Sequence, residues 1–276
     1  MYRENRIGSL ILLTLVVFFC VPFVSQAQTT AREPFKIGET LTYKAEYNRA
    51  ILRGIDVADL TFKIVKSIDS DKNDSKILFQ GEAQSKGTLL KLFRFNFLQK
   101  IDSTVETSDE FKILRTVRHD KQDKRIRDGE AVFDYKKNRV TYRETDPNNP
   151  QSAPRMITSP LEDSVQDLLS AIYFLRRQPL TVGKTFEISI SESGVVYQIP
   201  IKVVSKEKQN SIYGKIWTIR VEPEIFGDKR LIQGEGKMIL WLTDDARRLP
   251  VRSQIQAKIG KVEIKLRSAA GLQPAK

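Results

Sequence analysis

Leu41-Thr42-Tyr43-Lys44-Ala45-Glu46-Tyr47 alternates apolar and polar side chains without a break. Successive side chains of a strand point to opposite faces, so a period of two predicts a half-buried β-strand. The same alternation returns at Ala58, Leu60, Phe62 and Ile64, at Phe186, Ile188 and Ile190, and at Tyr197, Ile199, Ile201 and Val203. Turn-forming clusters separate the runs, at Ser70–Asp74, Arg127–Gly129, Lys136–Asn138 and Lys208–Asn210. Many short strands at this spacing predict a mainly β protein with an antiparallel sheet, built as an open barrel or a sandwich.

The last two strands are read in register about a Gly260-Lys261 turn. Ile255, Ala257 and Ile259 then face Leu266, Ile264 and Val262, and all six share one face. Lys258, Lys261, Glu263 and Lys265 fall on the solvent side.

One principal helix is expected over Pro160–Arg176. Ser159 caps it, Pro160 takes the first helical position, and Glu162 completes a Ser-x-x-Glu capping box. Leu161, Val165, Leu168, Leu169, Ile172 and Leu175 recur at spacings of three and four, so Leu168 and Ile172 are expected to pack on the sheet. Arg176 and Arg177 suit the negative helix end, and Pro179 stops it.

The chain echoes itself on either side of this helix. Arg32-Glu33-Pro34-Phe35-Lys36-Ile37-Gly38-Glu39-Thr40-Leu41 resembles Arg177-Gln178-Pro179-Leu180-Thr181-Val182-Gly183-Lys184-Thr185-Phe186. Thr107-Ser108-Asp109 is echoed more weakly by Thr243-Asp244-Asp245. Two echoes in the same order point to duplicated halves. The expected partition is a signal peptide (1–27), a first β-rich half (28–155), the connecting helix (156–178), a second β-rich half (179–268) and a short tail (269–276), with 28–276 as one compact unit.

The start of the chain reads as an export signal. Arg3 and Arg6 precede an apolar run from Ser9 to Val24, and Ser25-Gln26-Ala27 offers small residues for signal peptidase. A membrane anchor is the alternative, and the Ser-Gln-Ala end favours cleavage. Cys20, the only cysteine, lies inside the signal behind bulky Phe18-Phe19, which argues against lipidation. Removing Arg3, Arg6 and Glu4, which sum to +1, takes the net charge from +12 to +11. The processed chain has no thiol for disulfide or thiolate chemistry. With His119 as the only imidazole, no multi-histidine metal site is available, and no cofactor is expected. The positive charge attracts anionic surfaces or simply confers solubility. Export leads away from nucleic acid, which is not expected as a partner.

No nucleophile–base motif appears, and no catalytic residue is nominated. Asp244 and Asp245 are adjacent acids, but Thr-Asp-Asp-Ala-Arg-Arg reads as a turn neutralised by Arg247 and Arg248. Lys124, Arg125 and Arg127, in the basic stretch that begins at Lys121, offer anion contacts or form a solvated hairpin tip. Leu89–Leu98 interleaves Lys91 and Arg94 with apolar residues. It reads as a strand buried on both faces or as the rim of a lipid-binding cavity. Lys91, Arg94, Lys124, Arg125 and Arg127 are therefore the candidate ligand contacts.

Three stretches resemble the exported bacterial proteins of domain-of-unknown-function family 3108. They are Pro34–Tyr43, Asp167–Arg176 and Trp241–Val251, and the resemblance runs from about Pro34 to Leu266. It implies a largely β protein of the periplasm or cell surface and brings no agreed activity. The expected role is non-enzymatic binding or scaffolding for an apolar or anionic envelope ligand, such as a lipid, an anionic polymer or an envelope protein. The alternative is a glycan-active enzyme using Asp and Glu carboxylates. N-terminal sequencing of the protein taken from its own envelope is expected to begin at Gln28. Recovery of Met1–Ala27 in an integral membrane fraction would identify an anchor instead.

Overall fold

The computed structural model describes residues 33–275, apart from 51, 68–75, 108–109, 162–163 and 259. The readings of the signal segment, the Ser70–Asp74 turn, Ser108-Asp109, Glu162 and Ile259 lie outside the described residues. The first half carries strands β1 (Thr40–Arg49), β2 (Leu52–Lys66) and β3 (Lys76–Ser85), then helix α1 (Gly87–Phe93). It continues with β4 (Phe97–Glu106), β5 (Lys112–Gln122), β6 (Arg125–Asp134), β7 (Arg139–Thr145) and β8 (Arg155–Pro160). A short β9 (Val165–Gln166) leads into helix α2 (Leu168–Arg177). The second half follows as β10 (Thr185–Glu192), β11 (Val195–Ser211), β12 (Gly214–Pro223), β13 (Gly236–Thr243), β14 (Pro250–Ala257) and β15 (Gly260–Ala270).

All fifteen strands join one sheet, in the order β8 back to β1, then β15 back to β9. Every pairing is antiparallel except β9 with β10. The two ends of the sheet curl toward each other: Gly194, in the β10–β11 turn, lies so close to Tyr142 of β7 and Ile157 of β8 that an added Cβ would clash with both. The result is an open barrel, with α2 against its inner face. The inner face carries one apolar cluster under β2–β7, centred on Phe79, Phe111 and Tyr173, and a second under β10–β13, centred on Ile199, Val221 and Leu242.

The two echoes fall at matching places. Gly38 and Gly183 both take positive φ, at 92° and 84°. Gly38 N–H donates to the Ile64 carbonyl at 2.8 Å, and Gly183 N–H donates to the Val203 carbonyl at 2.8 Å. Phe35 and Leu180 are both buried, whereas Ile37 and Val182 are both exposed. In the weaker echo Thr107 directly follows β4 and Thr243 closes β13, the fourth strand of each half. A register shift interrupts the β4–β5 and β13–β14 pairings, at Thr104/Val105 and at Trp241/Leu242.

Several expectations are corrected, among them the turns at Arg127–Gly129 and Lys208–Asn210, which lie within β6 and β11. The helix starts at Leu168, not Pro160. Ser159 and Pro160 pair with Val140 and Arg139 in β8, and Val165 pairs with Ser189 in β9. Sheet hydrogen bonds claim these residues before the helix can. Leu89–Leu98 is not a strand: it begins in α1, where Leu89 packs with Tyr47 and Val57, and only Phe97 and Leu98 enter β4. The final hairpin is shifted, because Ala257 pairs with Gly260 and Ile255 with Val262. The turn therefore lies between Ala257 and Gly260. Gly260 is held in the ladder because the Tyr47 ring packs on it, where an added Cβ would lie 2.8 Å from the ring.

Glu263 is consequently not a solvent-side residue; it is buried. Its carboxylate pairs with Lys261 at 2.6 Å, Arg252 at 3.1 Å and Lys265 at 3.4 Å. Burial alone would raise its pKa, but these cations outweigh it and hold the carboxyl down at about 2. A depressed folded pKa stabilises above the unfolded value and loses that contribution as pH falls through the folded one. Glu263→Gln is expected to cost about 2 kcal/mol at pH 7, discounted for partly exposed partners. Urea titrations should show the gap between variant and parent closing as pH falls from 4.5 toward 2. A gap independent of pH would rule out this ion-pair account.

Candidate functional site

Helix α2 is positioned by buried polar groups at both ends. At its N-terminus the Asp167 carboxylate accepts from Leu169 N–H at 3.0 Å and Ser170 N–H at 2.7 Å. The Ser170 hydroxyl accepts in return from Asp167 N–H at 2.9 Å, so the capping box is Asp167–Ser170 rather than Ser159–Glu162. The other Asp167 oxygen accepts from the hydroxyls of Ser103 on β4 and Thr116 on β5. All four side chains are buried. A carboxylate with four donors is satisfied without water, and it ties the helix to the sheet.

At the C-terminus Arg176 and Glu39 form a bidentate ion pair at 2.5 and 2.9 Å, with Glu39 0 % and Arg176 1 % exposed. Two further guanidinium N–H groups reach the Pro34 and Arg247 carbonyls, each at 3.0 Å. The Phe35 and Tyr173 rings flank the guanidinium at 5.4 and 5.3 Å. Buried beside this pair, the Tyr43 and Tyr173 hydroxyls have their pKa values raised, chiefly by loss of water.

Between these anchors the helix divides its faces. Leu169 and Tyr173 join the first apolar cluster; Ala171 and Leu175 join the second. Leu168, expected to pack on the sheet, is 38 % exposed. With Ile172 it overhangs a cleft of about 190 Å³ whose floor is Phe62, Gly81, Ala83 and Ile101. Gly81 is what lets the helix come so close: a Cβ there would lie 2.8 Å from Ile101 and 3.2 Å from Leu169. Gln99, Arg118 and Asp120 supply the polar margin. Arg118 is already paired with Glu192 of β10, which raises its pKa against the lowering effect of its own burial.

The outer face of the same strands carries a second groove, of about 400 Å³, lined by Lys63, Gln80, Glu82, Lys100, Asp102 and His119. His119 Nδ1 lies 2.6 Å from Asp128. Glu82 pairs with Lys100 at 3.3 Å, so these groups balance one another. Among the described residues no cluster of three potential metal ligands occurs.

The sequence-nominated cations gather at one end of the sheet. Lys91 and Arg94 are exposed at the end of α1, and Lys124 and Arg125 are exposed at the β5–β6 turn. The two segments are stitched together, with Asn96 N–H donating to Asp123 Oδ1 and Asp123 N–H to the Asn96 carbonyl, both at 3.0 Å. Arg127 stands apart, paired with Asp146 at 2.5 Å. Asp244 and Asp245 sit in the β13–β14 loop. Asp245 accepts from the Thr243 hydroxyl at 2.7 Å and pairs with Arg247 at 2.5 Å. Burial would raise its carboxyl, but the Arg247 and Thr243 hydrogen bonds and the Arg247 charge lower it overall. Asp244 pairs with Lys206 at 2.8 Å.

A family model for proteins of unknown function, DUF3108, matches residues 42–267. The chain belongs to that family. No curated protein matches it. Among solved structures it is similar to a β-barrel-like protein of domain-of-unknown-function family DUF1849 from Brucella abortus, at 10 % identity and a TM-score of 0.51. That match covers 84 % of this chain and 97 % of the other, and at such identity it shows the fold alone. A candidate exported protein with a YmcC-like fold from Bacteroides fragilis aligns over 85 % of this chain and 96 % of its own, at 11 % identity. Its TM-score of 0.29 carries no argument.

Glu39, Asp167 and the cleft floor were missed as site residues from the sequence. Asp167-x-x-Ser170 was a visible capping signal, and Glu39 was visible as an acid where its echo has Lys184. Arg176→Met alone leaves the Glu39 charge buried without a partner and is expected to cost about 3–5 kcal/mol. The double variant Glu39→Leu/Arg176→Met should cost less than the sum of the singles in a chemical-denaturation cycle. Additive losses would show that the pair is not coupled.

Proposed function

We propose that this protein is an exported envelope protein that binds an amphiphile, seating an apolar portion in the cleft beside α2 and leaving the anionic portion for the basic end. The observation that carries the reading is Leu168. It lies on a helix whose other large apolar residues are mostly sealed, yet it stands open above Phe62, Ala83 and Ile101. An uncovered apolar floor with a polar margin has the make-up of a small-molecule site. At about 190 Å³ the cleft is smaller than the roughly 300–1,000 Å³ of most ligand pockets, so it suits the end of a chain or one ring rather than a whole lipid. Strands β4 and β5, which floor the cleft, continue to the basic end. From Arg118 to Lys124 the path is roughly 20 Å at about 3.3 Å per residue. Lys91, Arg94, Lys124 and Arg125 there supply the charge that an anionic group seeks. Arg127 contributes less, because Asp146 already neutralises it.

The test is displacement of anilinonaphthalene sulfonate by decanoate, with native mass spectrometry of protein purified from its own envelope. Ala83→Phe should fill the cleft and weaken decanoate at least tenfold without lowering the melting temperature. Lys124→Glu/Arg125→Glu should weaken it less, and only at low salt, because exposed charges are screened. Ala83→Phe binding as tightly as the parent would overturn the cleft reading.

A further inference from the structure

The long β11–β12 hairpin concentrates exposed aromatic and aliphatic side chains as no other turn of the described sheet does. Trp217 is 55 % exposed, and Ile212 and Tyr213, which form the turn between Ser211 and Gly214, are each 41 % exposed. Cross-strand register places Trp217 opposite Lys208 and Lys215 opposite Asn210, so Lys208, Trp217 and Lys215 share one face of the hairpin. Lys208 Nζ lies over the Trp217 ring at 5.1 Å, and Arg247 lies over the Tyr213 ring at 5.5 Å. Lys206, on the same face, is neutralised by Asp244, and Arg247 by Asp245. Among the described residues Lys208 and Lys215 form no ion pair.

We propose that this hairpin docks the protein on an anionic lipid bilayer. Trp and Tyr prefer the headgroup level, where an apolar ring meets bulk water on one side and hydrocarbon on the other. An aliphatic tip residue such as Ile212 gains by burial below that level. Each unpaired lysine beside them gains from the negative surface potential of anionic headgroups, a term that fades within a Debye length. A protein partner would need a complementary acidic and apolar pocket. A bilayer needs only what the hairpin shows: aromatic rings, an aliphatic tip and free cations on one exposed, protruding strand pair. The cleft beside α2 takes no part, so this inference stands or falls separately from the proposed ligand.

The chain has two tryptophans, and Trp241 is buried, which makes Trp217 the natural reporter. The processed chain from Gln28, which retains every described residue, is mixed with vesicles of phosphatidylglycerol and phosphatidylcholine or of phosphatidylcholine alone. Co-sedimentation is expected with the anionic vesicles at low salt, at least tenfold weaker on the neutral ones and weaker in 0.5 M salt. Emission should shift to the blue, and brominated lipid should quench it. Ile212→Ser/Trp217→Ala should lose at least tenfold in binding at an unchanged melting temperature. Ala83→Phe should bind vesicles as the parent does. Absence of binding to anionic vesicles would overturn the proposal. So would full binding by Ile212→Ser/Trp217→Ala, which would move the contact to another basic surface such as Lys91 and Arg94.

Discussion

Glu39 and Arg176 are two opposite charges shut away from water, and a pair of that kind leaves little freedom to its surroundings. Each ion loses several kcal/mol of hydration, which is recovered only if both carboxylate oxygens and all three guanidinium nitrogens find partners at good geometry. They do: two carboxylate contacts, the Pro34 carbonyl and the Arg247 carbonyl. Those partners come from the entrance to β1, the end of α2 and the β13–β14 loop. The first strand, the helix and the second half of the sheet must therefore meet at one point for any of them to be satisfied. Asp167 repeats the logic at the other end of α2 with Ser103 and Thr116. A helix of ten residues is too short to be stable alone. Fixed at both ends by groups that cannot be left unpaired, it has one position on the sheet.

This arrangement explains what the sequence displayed and what it concealed. Alternation at Leu41–Tyr47 and Ala58–Ile64 was legible because one face is buried along β1 and buried or half-buried over Ala58–Ile64 of β2. The helix start was misplaced because Ser159-Pro160 and Asp167-x-x-Ser170 are both plausible caps. The choice between them is made by pairing with Arg139, Val140 and Ser189, far from α2 in the chain. The final hairpin slipped for a similar reason. Gly260 looks like a turn residue, but Tyr47, more than two hundred positions earlier, needs a glycine beneath its ring. Glu263, seemingly on the wet side, is surrounded by Lys261, Lys265 and Arg252 once β14 and β15 take their shifted register. The basic candidates were visible as residue types, whereas their assembly at one end depends on the Asn96–Asp123 contacts.

The echo between the halves gains physical content from the matching turns. Gly38 and Gly183 each bond to the second strand of their own half, and the apolar residue three positions before each is buried. The match fails at the next residue, which is the informative place. Glu39 points into the protein and finds Arg176, whereas Lys184 stays exposed. Two like turns can lead into like strands, but one helix can complete only one buried ion pair. Helix α2 is thus what breaks the equivalence of these two turns.

The same helix determines where the inner face of the sheet leaves a cleft. At about 100° per residue, Leu169 and Tyr173 form one stripe and Ala171 and Leu175 another, and each is claimed by one half of the sheet. A third stripe runs through Leu168, Ile172 and Arg176. Its last member is sealed by Glu39, and its first two face the cleft above Ala83 and Ile101. Burying Leu168 to close that gap would require the helix to slide along its axis, away from Glu39 at one end and from Ser103 and Thr116 at the other. The ion pair forbids the slide, because moving Arg176 by even one turn, about 5.4 Å, would leave Glu39 charged and dry. The cleft therefore persists because its closure is opposed by buried charged groups at both ends of the helix.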